Sequence, residues 1–264
     1  MIQPLAYIHP QAKIAENVVI EPFVTIHKNV EIGEGTWIGS NVVIMDGARI
    51  GKNCRIFPGA VISGIPQDLK FAGEETTAEI GDNTTIRECV TINRGTKDRW
   101  RTVVGNNCLI QAYSHIAHDC FVGNNCIFSN SSTLAGHITV GDYVVLAGMV
   151  AVHQFCHIGS HAFVAGGSLV RKDVPPFVKA AREPLSYVGI NSVGLRRRGF
   201  SSEQINEIQD LYRTMFVKNN NLTKALDIIE TECQPTEIRD EILDFVRSSN
   251  RGIMKGFGQG KVAL

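Results

Sequence analysis

The chain has 264 residues, 44% of them hydrophobic, with 26 basic and 26 acidic side chains and a formal net charge of zero. That balance argues against a nucleic-acid-binding protein. No apolar run approaches the roughly 18 residues of a membrane span, and no N-terminal stretch joins basic residues to a long apolar core, so neither a stable membrane insertion nor a signal peptide is expected.

From residue 8 onward the sequence sits on a grid of six. Ile8, Ile14, Ile20, Ile26, Ile32, Ile38, Ile44, Ile50, Ile56 and Ile62 are its first positions. Ile80, Ile86 and Ile92 follow after a gap, and Val104 to Val170 after a second. Of 28 grid positions, 25 are large and apolar; Asp68, Glu74 and Asp98 are the exceptions. A helix needs a period near 3.6 and a half-buried strand a period of about 2. A sustained period of six fits a solenoid of short strands, each sending one large side chain inward. Four residues past the grid, side chains are mostly small, as at Ala48, Cys54, Ala60, Cys108, Ser114 and Cys126. That suits the tight side of a narrow core. Glycine followed by Asn or Asp recurs one residue past the grid, at Gly81, Gly105, Gly123 and Gly141. Such residues tolerate the positive φ of tight turns.

The pattern resembles the hexapeptide-repeat family. The resemblance implies a mainly β fold, a left-handed parallel β-helix in which three hexads close one triangular coil of about 18 residues. The grid fails over Ser63–Glu79 and again over Thr96–Arg101, which read as extruded loops, and long loops usually serve a purpose. The repeat ends near Val170, and Pro175-Pro176 breaks it. Residues 177–200 read as a connecting segment. From Ser201 the period becomes helical: Ser201 and Gln204 suit a capping box, and Ile205, Ile208, Leu211, Tyr212, Met215 and Phe216 form a stripe. Further helices are expected over 222–231 and 237–247. The expected organisation is a β-helix over 1–176, a connection over 177–200 and an α-helical C-terminal domain over 201–264, its helices covering the open end of the solenoid.

Seven cysteines include no C-x-x-C pair, and five of them (Cys54, Cys108, Cys120, Cys126 and Cys156) fall in the small-residue phase. They read as buried fillers with free thiols. The odd number favours a reducing cytoplasm.

Six of eight histidines lie between 115 and 161, and none is on the grid. Residues one coil apart should stack about 4.8 Å apart, which sets His118 against Gly136 and Asp119 against His137. An imidazole can take a proton from an attacking hydroxyl, and an unobstructed glycine N–H can stabilise an oxyanion. Together they suit acyl transfer from a thioester to an alcohol. Asp119 can hold the imidazole tautomer, but successive strand residues face opposite ways, so a His118–Asp119 contact requires a corner.

The strings IPQDLKFAGE (65–74), IRECVTINRGT (86–96), HIAHDC (115–120), LAGHITV (134–140), AVHQFC (151–156), DVPPF (173–177) and GLRRRGF (194–200) resemble the UDP-N-acetylglucosamine 3-O-acyltransferases of lipid A synthesis over nearly the whole chain. The resemblance implies His118 as general base, Asp119 as its acidic partner and Gly136 as the oxyanion-stabilising amide. It implies substrate contacts at Asp68, Lys70, His115, His137, His153, Gln154, Asn191 and Arg197, the last suited to phosphate. Gly166 matches the position that limits acyl-chain length, and glycine there implies a long 3-hydroxyacyl chain. Val193 departs from relatives that carry an acidic residue there. The implied substrates are acyl carrier protein and UDP-N-acetylglucosamine. No cofactor beyond the carrier's own phosphopantetheine is implied, and no metal. The implied assembly is a homotrimer with active sites between subunits and the 63–79 loop reaching a neighbour. Basic residues at 94, 97, 99, 101 and 196–198 suit docking of the acidic carrier protein. Three other readings are open: a related acyltransferase with a 3-amino sugar or another acceptor, a zinc-dependent hydratase with three histidine ligands, and a non-enzymatic scaffold.

Overall fold

The computed structural model describes residues 1–218 and 221–256. Strands mostly two residues long make three sheets of nine, eight and eleven strands, parallel throughout the solenoid. Within each sheet a strand neighbours the one three strands further along the chain until the solenoid ends, so each turn of the chain adds one strand to every face. The result is a left-handed parallel β-helix.

Each hexad makes one short strand and one corner. The grid residue is the second of its strand and points inward: Ile20, Ile26, Ile38, Ile44, Ile56 and Ile62 are all fully buried. Stacked coils keep a register of 18, as in Val145↔Phe163 and Leu146↔Val164. Many corners hold a residue with left-handed φ, and Asn41, Asn53, Asn83, Asn107 and Asn125 fill this role, as asparagine's short polar side chain allows. Beside them Gly33, Gly51, Gly81, Gly105, Gly123, Gly141 and Gly159 stack so closely that a Cβ on any of them would fall 2.3–2.6 Å from an atom of the next coil.

The register also explains why the grid resumes in phase after each gap. Val61 pairs with Thr91 and Ala48 with Ala78, a spacing of 30 where 18 is normal. The first loop therefore adds two whole hexads. Thr91 pairs with His115, a spacing of 24, so the second adds one. The first loop is shorter than the sequence suggests, and the second begins two residues earlier and ends one earlier. Strands Val61–Gly64 and Thr77–Ile80 bound the first, leaving 65–76. Strands Thr91–Asn93 and Arg101–Val104 bound the second, leaving 94–100.

Past the last coil, residues 177–200 are more than a connection. Val178–Ala181 and Ser186–Ile190 extend one face of the solenoid, the second running antiparallel. Helix α1 (Ser192–Arg197) follows, then α2 (Ser202–Arg213) with the capping box of Ser201 and Gln204 formed. A π-helical turn (Thr214–Lys218) buries Met215 and Phe216. Helices α3 (Leu222–Glu232) and α4 (Glu237–Ser248) complete the end. Tyr212 is fully buried, and its hydroxyl donates to the Pro176 carbonyl at 2.7 Å. One hydrophobic cluster runs from Val18 to Met254, so the helices continue the solenoid core and cover its end.

Candidate active site

His118 and Asp119 occupy the corner between strands His115–Ile116 and Phe121–Val122. Asp119 has φ 58°. That left-handed turn lets two consecutive side chains converge where a strand would send them apart. His118 Nδ1 lies 2.8 Å from Asp119 Oδ2. A carboxylate only accepts, so Nδ1–H donates and Nε2 carries the free lone pair.

Asp119 is 0% exposed and well supplied with donors. It accepts from Thr96 N at 3.0 Å, Thr96 Oγ1 at 2.7 Å and Arg99 N at 3.2 Å. Burial alone would raise its pKa, but hydrogen bonds from His118, Thr96 and Arg99 outweigh it and hold the carboxyl below the usual range. The second loop thus wraps a buried carboxylate. Thr96 gave no signal in the sequence, because a threonine in a loop has no periodic partner to betray it.

Two of the three grid exceptions lie beside His118 and His137, and the third stays within its own loop. Asp68 Oδ2 stands 4.0 Å from His118 Nε2, and Asp98 Oδ2 stands 3.0 Å from His137 Nδ1. Glu74 Oε2 accepts from Ala72 N at 2.9 Å, within the first loop. Lys70 is exposed beside them, its backbone N–H donating to Asp68 Oδ1 at 2.9 Å. His137 meets His118 edge-on at 5.0 Å and stacks on Phe155 at 4.6 Å. His115 Nδ1 is 2.7 Å from Thr91 Oγ1. Burial and then the charge of His118 lower the His115 pKa.

Gly136 lies one coil above His118. A Cβ there would fall 2.7 Å from the imidazole Cε1 and 2.8 Å from Nε2. Among the described residues its N–H donates to no backbone acceptor. A base with an open Nε2, an oriented ring and a free amide beside it are the parts that acyl transfer needs.

Comparison with known proteins gives the family. Residues 173–254 match the model described as UDP-N-acetylglucosamine O-acyltransferase, domain 2. Residues 101–136 match six bacterial transferase hexapeptide repeats, and residues 2–96 match the GMPPB C-terminal domain. The acyl-[acyl-carrier-protein]--UDP-N-acetylglucosamine O-acyltransferase of Xanthomonas oryzae pv. oryzae (strain PXO99A) is 49% identical, over 97% of this chain and 98% of its own. The solved UDP-N-acetylglucosamine acyltransferase of Bacteroides fragilis 9343 is 52% identical with a TM-score of 0.95, over 97% of this chain and all of that one. That of Francisella novicida is 42% identical with a TM-score of 0.95, over 98% and 95%. The chain belongs to the UDP-N-acetylglucosamine O-acyltransferase family.

A UDP-N-acetylglucosamine O-acyltransferase is an enzyme, so the scaffold alternative falls away. The zinc-hydratase alternative is not favoured either. The full-length relatives are acyltransferases by name.

One chain of this acyltransferase does not gather every residue that the resemblance implied. His153 and Gln154 share the edge of His118 and Gly136, higher up, and both are exposed. Asn191 and Arg197 flank the next edge. Asn191 caps α1, accepting from Gly194 N at 3.3 Å, and donates to the His161 carbonyl at 2.9 Å. His161 stacks on Tyr143 at 4.9 Å. Arg197 is exposed. Gly166 stands on the third edge, where its Cβ would lie 3.1 Å from the Gly148 carbonyl oxygen. The three edges run parallel and face outward in different directions, so residues on different edges do not share one site within a single chain.

Proposed function

We propose that this enzyme transfers an (R)-3-hydroxyacyl group from acyl carrier protein to the glucosamine 3-OH of UDP-N-acetylglucosamine, the first step of lipid A synthesis. The relatives' names carry the substrates. The carrying observation is the His118–Asp119 pair set against Gly136. The 3-OH attacks the thioester carbonyl while its proton passes to His118 Nε2. Asp119 steadies the imidazolium, and the Gly136 N–H receives the oxyanion. Collapse breaks the C–S bond, and the proton goes to the leaving thiolate. The hydroxyl attacks directly, so neither an acyl-enzyme nor a resident cofactor enters the scheme.

The remaining assignments call for a homotrimer. It is the arrangement in which one prism's His118 edge can face another's Asn191, Arg197 or Gly166 edge. Asp68 already faces His118 within its own chain, whereas Leu69 next to it is fully exposed and available to a neighbour. The carrier-docking reading narrows to fewer residues. Arg99 is bonded to the Asp119 carbonyl, Arg94 to the Asp46 carbonyl, and Arg101 lies 3.6 Å from Glu79. Lys97, Arg196 and Arg197 are exposed and are the better candidates. All seven cysteines are free, and among the described residues no helix is long and apolar enough to cross a membrane.

The test is acyl transfer by purified His118→Ala, with defined acyl carrier protein thioesters read by mass spectrometry. Loss of roughly 10²–10⁴-fold in kcat is expected for a general base; near-normal turnover overturns the assignment. Running the 3-amino analogue in competition decides the acceptor.

A further inference from the structure

The C-terminal end of the chain returns to the catalytic edge. Past α4, residues 249–254 lie along the last coil and close on Asp173. Ser249 Oγ donates to Asp173 Oδ2 at 2.6 Å. Asp173 N donates to the Gly252 carbonyl at 3.1 Å, and Met254 N to the Asp173 carbonyl at 2.9 Å. Asp173 is 1% exposed, and its Oδ1 accepts from His157 N at 2.8 Å. Both oxygens of a buried carboxylate therefore tie the terminal segment to the solenoid.

This clasp delivers Arg251 to His153. Its Nη2 lies 3.2 Å from His153 Nδ1 and 3.4 Å from the Arg171 carbonyl. His153 Nδ1 has a second neighbour at the same 3.2 Å, the Gln154 carbonyl. The two neighbours demand opposite tautomers. A guanidinium only donates, so Arg251 needs a lone pair on Nδ1. A carbonyl only accepts, so Gln154 needs Nδ1–H. The charge-assisted bond is the stronger of the two. We infer that Arg251, 98 residues away in sequence, is a positioning residue that holds His153 with its hydrogen on Nε2, presenting a donor from the exposed ring.

Its consequence for turnover rests on the acyl-transfer reading: Nε2–H meets an acceptor oxygen, carbonyl or phosphate, of a bound substrate. The tautomer itself does not depend on that reading. Without Arg251 the ring is free to donate Nδ1–H to Gln154, which leaves Nε2 a lone pair facing the same oxygen.

The experiment uses full-length protein with 15N-labelled histidine, His153→Gln serving to assign the ring signals. Wild type and Arg251→Lys, which keeps a cationic donor, are expected to show hydrogen on Nε2. Arg251→Met is expected to show it on Nδ1. Ser249→Ala, which loosens the clasp and leaves the arginine, is expected to show a mixture. In steady-state assays Arg251→Met is expected to raise one substrate's KM by roughly tenfold, with kcat within about twofold. Comparing the carrier thioester with the sugar nucleotide identifies which substrate brings the oxygen. Arg251→Met with the wild-type tautomer overturns the inference, whatever His118→Ala does. A reversed tautomer with both KM values unchanged overturns the positioning role.

Discussion

A Cβ added to Gly136 falls 2.7 Å from Cε1 and 2.8 Å from Nε2 of His118, so the imidazole already occupies the space a side chain at 136 would need. The base and the amide proposed for the oxyanion are thus locked to each other by the 18-residue coil. Alanine at 136 must push the ring aside and strain its bond to Asp119. Gly136→Ala is expected to lower kcat by about 10²-fold, the scale of a misplacement near 1 Å. Steady-state acyl transfer measures it, and wild-type kcat would separate the two groups.

Asp119→Asn turns one of the two acceptor oxygens into a donor, so either the bond from His118 or those from the Thr96 and Arg99 amides is lost. The cost expected is about 1–3 kcal/mol of stability near neutral pH, from donors left poorly matched in a buried site. The pH dependence follows from the depressed pKa. A carboxyl held below its ordinary 3.8 adds stability above that value, lost as pH falls through the folded-state value. Urea midpoints from neutral pH into the acid range should therefore fall less steeply for the variant than for wild type.

His161 titrates in a different window. Its pKa is pushed down from 6.5 to about 4 by burial and the nearby charge of Arg198, with Asp142 opposing. Below 6.5 the unfolded chain gains a proton that the folded imidazole refuses. The contribution is full above about 6.5 and drains away as pH falls toward 4. His161→Phe keeps a ring stacked between Tyr143 and Phe177 and removes the titration. Its urea midpoint is expected to drop less than that of wild type between about pH 7 and pH 5.

Gly166→Met tests the chain-length assignment. A Cβ there already presses to 3.1 Å on the Gly148 carbonyl oxygen, so a longer side chain must extend outward from that edge. Competition among carrier thioesters of graded length should shift preference to shorter acyl chains, with kcat for the short donor near wild type. Unchanged preference would remove Gly166 from the acyl site.

Much of this molecule follows from its sequence. The grid of six specifies the prism because each hexad sends one large and one small side chain into a narrow interior, and few other architectures satisfy that period. The same spacing stacks His118 against Gly136, since the coil repeat is a covalent length. The loops were visible as grid failures, and two aspartates among those failures lie against His118 and His137. Tertiary structure decided the rest. It showed that Asp119 turns through a left-handed corner to reach His118 and that Thr96 and Arg99 come from a loop to hold it. It also showed that residues 177–200 add strands to a sheet, and that Arg251 arrives beside His153 from the far end of the chain. It set Asn191, Arg197 and Gly166 on edges away from His118. Gly166's edge follows from the 18-residue register and the corner at Asp119 was required by the strand alternation, but the others have no local or periodic signature. Each depends on where separate segments meet, and that is settled by packing and hydrogen-bond satisfaction across the whole fold.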